Sequence, residues 1–193
     1  MTIHTSHPAL SLIGMPGGGK STVGRHLARR LGTDFVDTDT VLERRIGGSI
    51  REFFEREGEA VFRDLEAHAL AELIVATNGV IATGGGIVLR EENRQSLRDG
   101  TVCIYLRSSP EELFRRLRHD TKRPLLQVAD PLARLRELFV ERDPLYRQAA
   151  HFIVETGRPS VSTLVNMILM QLELAGAIDP ATMPSPVDMT PIP

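Results

Sequence analysis

The run Gly14-Met15-Pro16-Gly17-Gly18-Gly19-Lys20-Ser21 fits the pattern G-x-x-x-x-G-K-[ST] and limits what this chain can fold into more than any other feature. It follows an apolar stretch, Ala9 to Ile13, that reads as a buried strand. It opens Lys20 to Leu31, where Val23, Leu27 and Leu31 recur at helical spacing. Glycines in that place remove Cβ atoms, so the backbone can curl and aim several N–H groups at one phosphate. The following helix adds the positive end of its dipole. A plain glycine-rich turn is the bland alternative, and the strand before and helix after count against it. The implied ligand is a nucleoside triphosphate held by Gly17, Gly18, Gly19, Lys20, Ser21 and Thr22. Lys20 would reach the β/γ-phosphates and the Ser21 hydroxyl would sit on Mg²⁺.

A loop of this kind needs a parallel sheet to carry it, and the rest of the chain supplies one. Asp34 to Val36, Val80 to Thr83, Thr101 to Leu106 and Phe152 to Val154 read as further short strands. Between them lie helical patterns such as Leu113 with Leu117, Leu135 with Leu138, and Leu164 to Leu172. Five strands alternating with helices predict a doubly wound α/β domain, whose ligands gather beyond the carboxyl ends of the strands. The domain is expected over residues 8–176. Residues 1–7 and 177–193 read as disordered tails, the second holding Pro180, Pro184, Pro186, Pro191 and Pro193. The formal net charge of −2 excludes a general pull toward nucleic acid or anionic membrane. No apolar stretch approaches the ~20 residues of a membrane span. The single cysteine, Cys103, rules out an intramolecular disulfide and reads as a small core residue in a cytoplasmic protein.

The loop alone does not separate kinases from switch GTPases or motor ATPases, although a base-reading N-K-x-D is absent. Four features bear on the second substrate. Asp37-Thr38-Asp39 follows the second strand and places two carboxylates in extended spacing. One of them can hold a Mg²⁺-bound water and the other can take a proton from an attacking hydroxyl. The competing reading is an Asx turn or a cap, with Asp39 capping a helix that starts near Thr40. Gly84-Gly85-Gly86 follows the third strand and lets a ligand meet backbone N–H groups, unless it is only a turn. Arg63 lies on a helix whose apolar face reads as Val61, Leu65 and Ala69, and so points away from that face. Arg115, Arg116, Arg118, Lys122 and Arg123, with Pro124 behind them, are either a solvated face or a lid that closes over phosphates.

Taken in order, these segments resemble the shikimate kinase family. The motifs are Gly14-x-x-Gly17-x-Gly19-Lys20-Ser21-Thr22, Asp37-Thr38-Asp39, Gly58-Glu59-x-x-Phe62-Arg63-x-x-Glu66, Gly84-Gly85-Gly86, Arg123-Pro124-Leu125-Leu126 and Arg142-x-Pro144-Leu145-Tyr146, and the likeness runs from about Leu10 to Leu172. The resemblance implies a P-loop fold like that of nucleoside monophosphate kinases, three layers about a five-stranded parallel sheet. To this it adds a small helical substrate-binding region near 38–70 and a lid near 115–128. It implies transfer of the γ-phosphoryl group of ATP to the 3-hydroxyl of shikimate, with Mg²⁺. Asp39, Arg63, Gly85 and Arg142 would then meet shikimate, Asp37 would bind Mg²⁺ through water, and Arg123 would act in the lid against ATP. Asp39, Lys20 and Arg123 are the implied catalytic residues.

That assignment suits the residue types. A small carboxylate bearing hydroxyls needs a cationic clamp, and planar arginines at 63 and 142 supply forked donors that lysine cannot imitate. There are departures. Gly18 stands where the family often has Ser, Ala or Cys. Glu155-Thr156-Gly157-Arg158-Pro159 resembles a shortened adenine-side loop, which makes Arg158 a nucleotide-binding candidate. Arg115, Arg116 and Arg118 remain open as alternatives for the nucleotide. Competing functions are another small-molecule kinase of the gluconate type and a non-catalytic nucleotide-binding relative. The family pattern also implies a monomer acting on small molecules, with no nucleic acid or membrane partner.

Overall fold

A computed structural model describes residues 8–117, 128–179, 181 and 183. Residues 1–7, most of the expected C-terminal tail and most of the expected lid, Arg118 and Arg123 included, lie outside the described residues. The elements are β1 (Leu10–Ile13), α1 (Lys20–Leu31), β2 (Phe35–Asp37), α2 (Thr38–Ile46), α3 (Ile50–Glu57), α4 (Glu59–Ala76), β3 (Val80–Ala82), α5 (Glu91–Gly100), β4 (Val102–Arg107), α6 (Pro110–Leu117), α7 (Pro131–Ala149), β5 (Phe152–Glu155) and α8 (Val161–Leu174). A 3₁₀ turn, Ile87–Leu89, precedes α5. The five strands form one parallel sheet in the order β2-β3-β1-β4-β5, as the alternation of apolar runs and helical patterns predicts.

Strand alternation assigns side chains to two cores. Leu10 and Leu12 of β1 and Ile104 and Leu106 of β4 face α1 and α8, where Val23, Leu27, Leu164, Ile168 and Leu172 complete one cluster. Ile13, Cys103 and Tyr105 face the opposite layer, against Leu70, Leu97, Leu113, Leu135, Leu138 and Tyr146. Both faces of the sheet are therefore covered, which is why its strands read as near-continuous apolar runs. Within β1, Ser11 is fully buried, and its hydroxyl bonds that of Thr101 at 2.6 Å, which in turn donates to the Leu97 carbonyl at 2.6 Å. A third, smaller cluster joins Leu42, Phe62 and Ala69 across α2, α3 and α4, outside the sheet.

The strand order creates the site. From β1 the chain passes outward to β2 on one side, and from β3 it crosses to β4 on the other, so the connections diverge at the carboxyl end of β1. The glycine loop leaves β1 at that point. One detail differs from the sequence reading. Ile178 is buried in the first cluster, at 5% exposure, so packing continues past Gly176. No helix among the described residues is long and apolar enough to cross a membrane.

One side chain completes the sheet where β5 has not yet begun. His151 Nδ1 accepts the N–H of Cys103 at 3.0 Å, while the His151 backbone N–H donates to the Cys103 carbonyl at 2.7 Å. An imidazolium cannot accept that bond. Burial first, and Arg98 next, hold the imidazole pKa below its ordinary value, against Asp99. The unfolded chain therefore takes up protons first as the pH falls. This stabilisation is full above about pH 6.5 and is lost as the pH drops through the lowered native value. His151→Asn keeps an acceptor without a charge. Thermal melts at about pH 7 and about pH 5 should show a larger fall in Tm for wild type than for this variant.

Candidate active site

The glycine loop is held in a shape that side chains would block. Gly14 has φ +146°, and a Cβ there would lie 2.5 Å from the Leu106 carbonyl oxygen of β4. Gly17 has φ +79°, with the Leu117 side chain 2.7 Å from the place of its Cβ. Gly18 is not in the left-handed region, so a small side chain there needs only a slight shift from the Met15 carbonyl, 3.0 Å away. Inside the curl, the buried Lys20 ammonium donates to the carbonyls of Gly14 and Met15, each at 2.9 Å. Gly19 caps α1 with no side-chain bond and the first turn holds no acidic residue, so a positive helix end faces the cavity.

The carboxylates are arranged differently from the extended pair expected. Asp37 ends β2 and caps α2, its Oδ1 accepting the Asp39 N–H at 3.0 Å. The helix starts at Thr38 rather than Thr40, and Asp39 lies in its first turn. The cap is thus Asp37 rather than Asp39. The other oxygen of Asp37 accepts the Ser21 hydroxyl at 2.5 Å. The helical turn sends the Asp39 carboxylate across to Gly84, where its Oδ1 is 2.7 Å from the place of a Cβ. Burial, and then Asp37, raise the Asp39 pKa above its ordinary value, with Lys20 and Arg63 acting in the opposite direction. Of the three amides in Gly84-Gly85-Gly86, that of Gly84 already donates to the Thr38 hydroxyl at 3.1 Å.

Arg63 is not on a solvated face. Val61, expected on the apolar face of α4, is exposed at 47%, and the buried residues of that helix are Phe62, Glu66, Ala69 and Leu70. The Arg63 side chain is only 13% exposed. Its Nη1 donates to Glu66 at 2.7 Å, and its Nε and Nη2 donate to Glu59 at 3.2 and 3.1 Å. The guanidinium also lies 5.6 and 5.4 Å from the ring centres of Phe54 and Phe62. Burial raises the Glu66 pKa, and the Arg63 charge opposes that rise. Two N–H groups of Arg63 are left for a ligand.

Two cavities meet here. One, of about 410 Å³, is lined by Gly17, Gly19, Lys20, Ser21, Thr22, Asp37 and Arg116. The other, of about 620 Å³, is lined by Arg63, Phe54, Phe62, Glu66 and Arg51. Pro16, Asp39, Gly84 and Gly85 belong to both, so Asp39 stands at the junction. Arg142 approaches from α7, donating to the Gly85 carbonyl at 3.3 Å. Among the nucleotide-side candidates, Arg116 lines the loop cavity, braced by a 2.5 Å bond to the Thr156 carbonyl. Arg158 is exposed and lines neither cavity. Sequence reasoning gave no role to Glu66, Phe54 or Tyr146. The three-residue step from Arg63 to Glu66 was a usable signal, because it places the two side chains together on one helix face.

A model of the family described as shikimate kinase matches residues 16–173. A shikimate kinase of Paracidovorax citrulli is 60% identical over 176 residues, covering 90% of this chain and 96% of that protein. The chain belongs to the shikimate kinase family. Among solved structures, a shikimate kinase from Acinetobacter baumannii in complex with shikimate matches with a TM-score of 0.83 and 42% identity, covering 90% of this chain and 97% of that one. A gluconokinase from Sinorhizobium meliloti 1021 matches with a TM-score of 0.56 at 16% identity, covering 88% and 94%, which is a likeness of fold alone.

Within this family member the loop geometry separates two neighbouring glycines. Gly17→Ala combines a left-handed φ with a clash against Leu117 and should weaken nucleotide binding about tenfold or more. Gly18→Ala should change it less than about threefold. Titration with a fluorescent ADP analogue, alongside thermal melts, checks the contrast.

Proposed function

We propose that this chain transfers the γ-phosphoryl group of ATP to the 3-hydroxyl of shikimate, giving shikimate 3-phosphate and ADP. The observation that carries the reading is Asp39 at the one place where the phosphate loop and the arginine-walled cavity meet. Family membership and the likeness to the shikimate complex support it.

In this reading the residues divide the work by charge. The curled loop and Lys20 hold the β/γ-phosphates, and Arg116 borders the nucleotide. Arg123, outside the described residues, keeps the lid role implied by the family pattern. Ser21 and Asp37 offer a hydroxyl and a carboxylate 2.5 Å apart, hard oxygen donors that suit Mg²⁺. When bound there, the ion would neutralise phosphate charge. Asp39 orients the acceptor hydroxyl and takes its proton late, since phosphoryl transfer asks mainly for positioning and charge neutralisation. Arg63 and Arg142 clamp the carboxylate, and Gly85 gives close backbone approach. Glu66 and Glu59 hold the Arg63 fork in place, so its two remaining N–H groups face the cavity. The reading takes the active form as a cytoplasmic monomer working on small molecules, with residues 8–176 as its domain. Cys103 plays no part, because burial pushes its thiol up to about 12.

A gluconate-type kinase shares the fold, yet no observation favours it over this reading. The direct test is ADP release in a coupled assay with shikimate, quinate and gluconate offered in turn. Shikimate should stimulate release far above background and the others should not. A flat response to shikimate would overturn the proposal. Arg63→Lys loses the fork and the contacts to both Glu59 and Glu66. It should raise the KM for shikimate about tenfold or more and that for ATP less than about threefold, read from initial rates.

A further inference from the structure

Tyr146 and Arg142 stand one turn apart on α7 and converge on the same atom. The Tyr146 hydroxyl donates to the Gly85 carbonyl at 2.6 Å, whereas Arg142 Nη1 reaches it at only 3.3 Å. The first is a short, strong bond and the second lies beyond the usual N–H···O range. Arg142 is also under-satisfied in another way: its Nε is shielded from solvent and has no hydrogen-bond partner among the described residues. Buried donors on a cation are normally paired, so an unpaired one calls for a reason.

The phenol is built to hold its position. Tyr146 is fully buried, and its ring stacks on Tyr105 with centres 4.8 Å apart. The Tyr105 hydroxyl bonds Asp143 at 2.9 Å and takes no part in the Gly85 contact. Burial raises the Tyr146 pKa well above its ordinary value, so the hydroxyl stays a donor. Its acceptor needs such a hold. Gly85 and Gly86 have no side chains to anchor them, because a Cβ on Gly85 would lie 2.6 Å from the Pro16 ring and one on Gly86 2.5 Å from the Arg63 guanidinium. The Gly85 carbonyl and the Gly86 N–H share one rigid peptide plane. Fixing that oxygen therefore fixes the strip of backbone between Pro16 and Arg63.

We propose that Tyr146 is a positioning residue for the acceptor site. Its bond to Gly85 sets the Gly85–Gly86 peptide and keeps the Arg142 guanidinium from settling onto that carbonyl. The cation is thereby left under-coordinated and turned toward the carboxylate of the substrate. This rests on the shikimate kinase reading above.

Tyr146→Phe removes one oxygen and keeps the ring stack, and Tyr105→Phe serves as a control that loses a buried hydroxyl elsewhere in the same pair. In steady-state assays of the full chain, Tyr146→Phe should raise the KM for shikimate about tenfold and leave that for ATP within about twofold. It should also narrow the preference for shikimate over its uncharged methyl ester. Tyr105→Phe should lower Tm without moving either KM. In an Arg142→Ala background, the Tyr146→Phe change should add less than about twofold. An unchanged shikimate KM in Tyr146→Phe would overturn the inference. So would equal rises for both substrates, or the same tenfold rise without Arg142. Wild-type enzyme that shows no shikimate-dependent ADP release would overturn the functional reading and this inference together, whereas active wild type with an indifferent Tyr146→Phe sinks the inference alone.

Discussion

The closed curl of the glycine loop around the Lys20 ammonium is the constraint on which the rest depends. The ammonium takes two backbone carbonyls, those of Gly14 and Met15, and so holds the loop closed around it. The curl exists only because Gly14 lies against the Leu106 carbonyl with no room for a side chain. That contact ties the loop to β4 as well as to β1, at the point where the strand order reverses. A phosphate site made of backbone is rigid when its supporting strands are buried on both faces, as these are.

Around that anchor the charges are placed by packing. Asp37 caps a helix with one oxygen and accepts Ser21 with the other, which joins the loop to α2 through a single side chain. Arg63 is drawn inward by Glu66 and two phenylalanine rings, so its guanidinium lines a cavity although it sits on a long surface helix. A buried carboxylate beside a buried cation is stable only as a pair, and this pair holds the fork in one direction. Asp39 then lies between two positive walls, close to Lys20 on one side and Arg63 on the other.

Much of this was legible from residue order. The strands, the helices after them, the loop residues, Asp39 and Gly85 were placed near one end of a parallel sheet by periodicity and turn chemistry, whereas the place of Arg63 came from the resemblance. The misreadings came where two neighbouring patterns competed. Asp37-Thr38-Asp39 allows either an extended pair or a cap, and the side-chain bond from Asp37 to the Asp39 N–H favours the helix. On α4, Val61 fits the stripe of Leu65 and Ala69 by spacing, yet it is exposed, while Phe62 joins Ala69 in the small cluster with Leu42 and the α3 aromatics. Arg158 and Arg116 look alike as sequence, yet only Arg116 lines the phosphate cavity, held there by the Thr156 carbonyl.

By itself, then, the sequence determined the order of elements, the phosphate loop and the family, because each depends on contacts between residues close along the chain or on glycines that admit no substitute. Only the tertiary structure decided which faces of α2 and α4 turn inward, that Asp39 stands between two cavities, and that Tyr146 and Arg142 meet on Gly85. Those arrangements depend on segments far apart along the chain, such as Gly85 and Tyr146 with a separation of 61. Helical and strand periodicity says which residues share a face, and nothing local says what that face will meet.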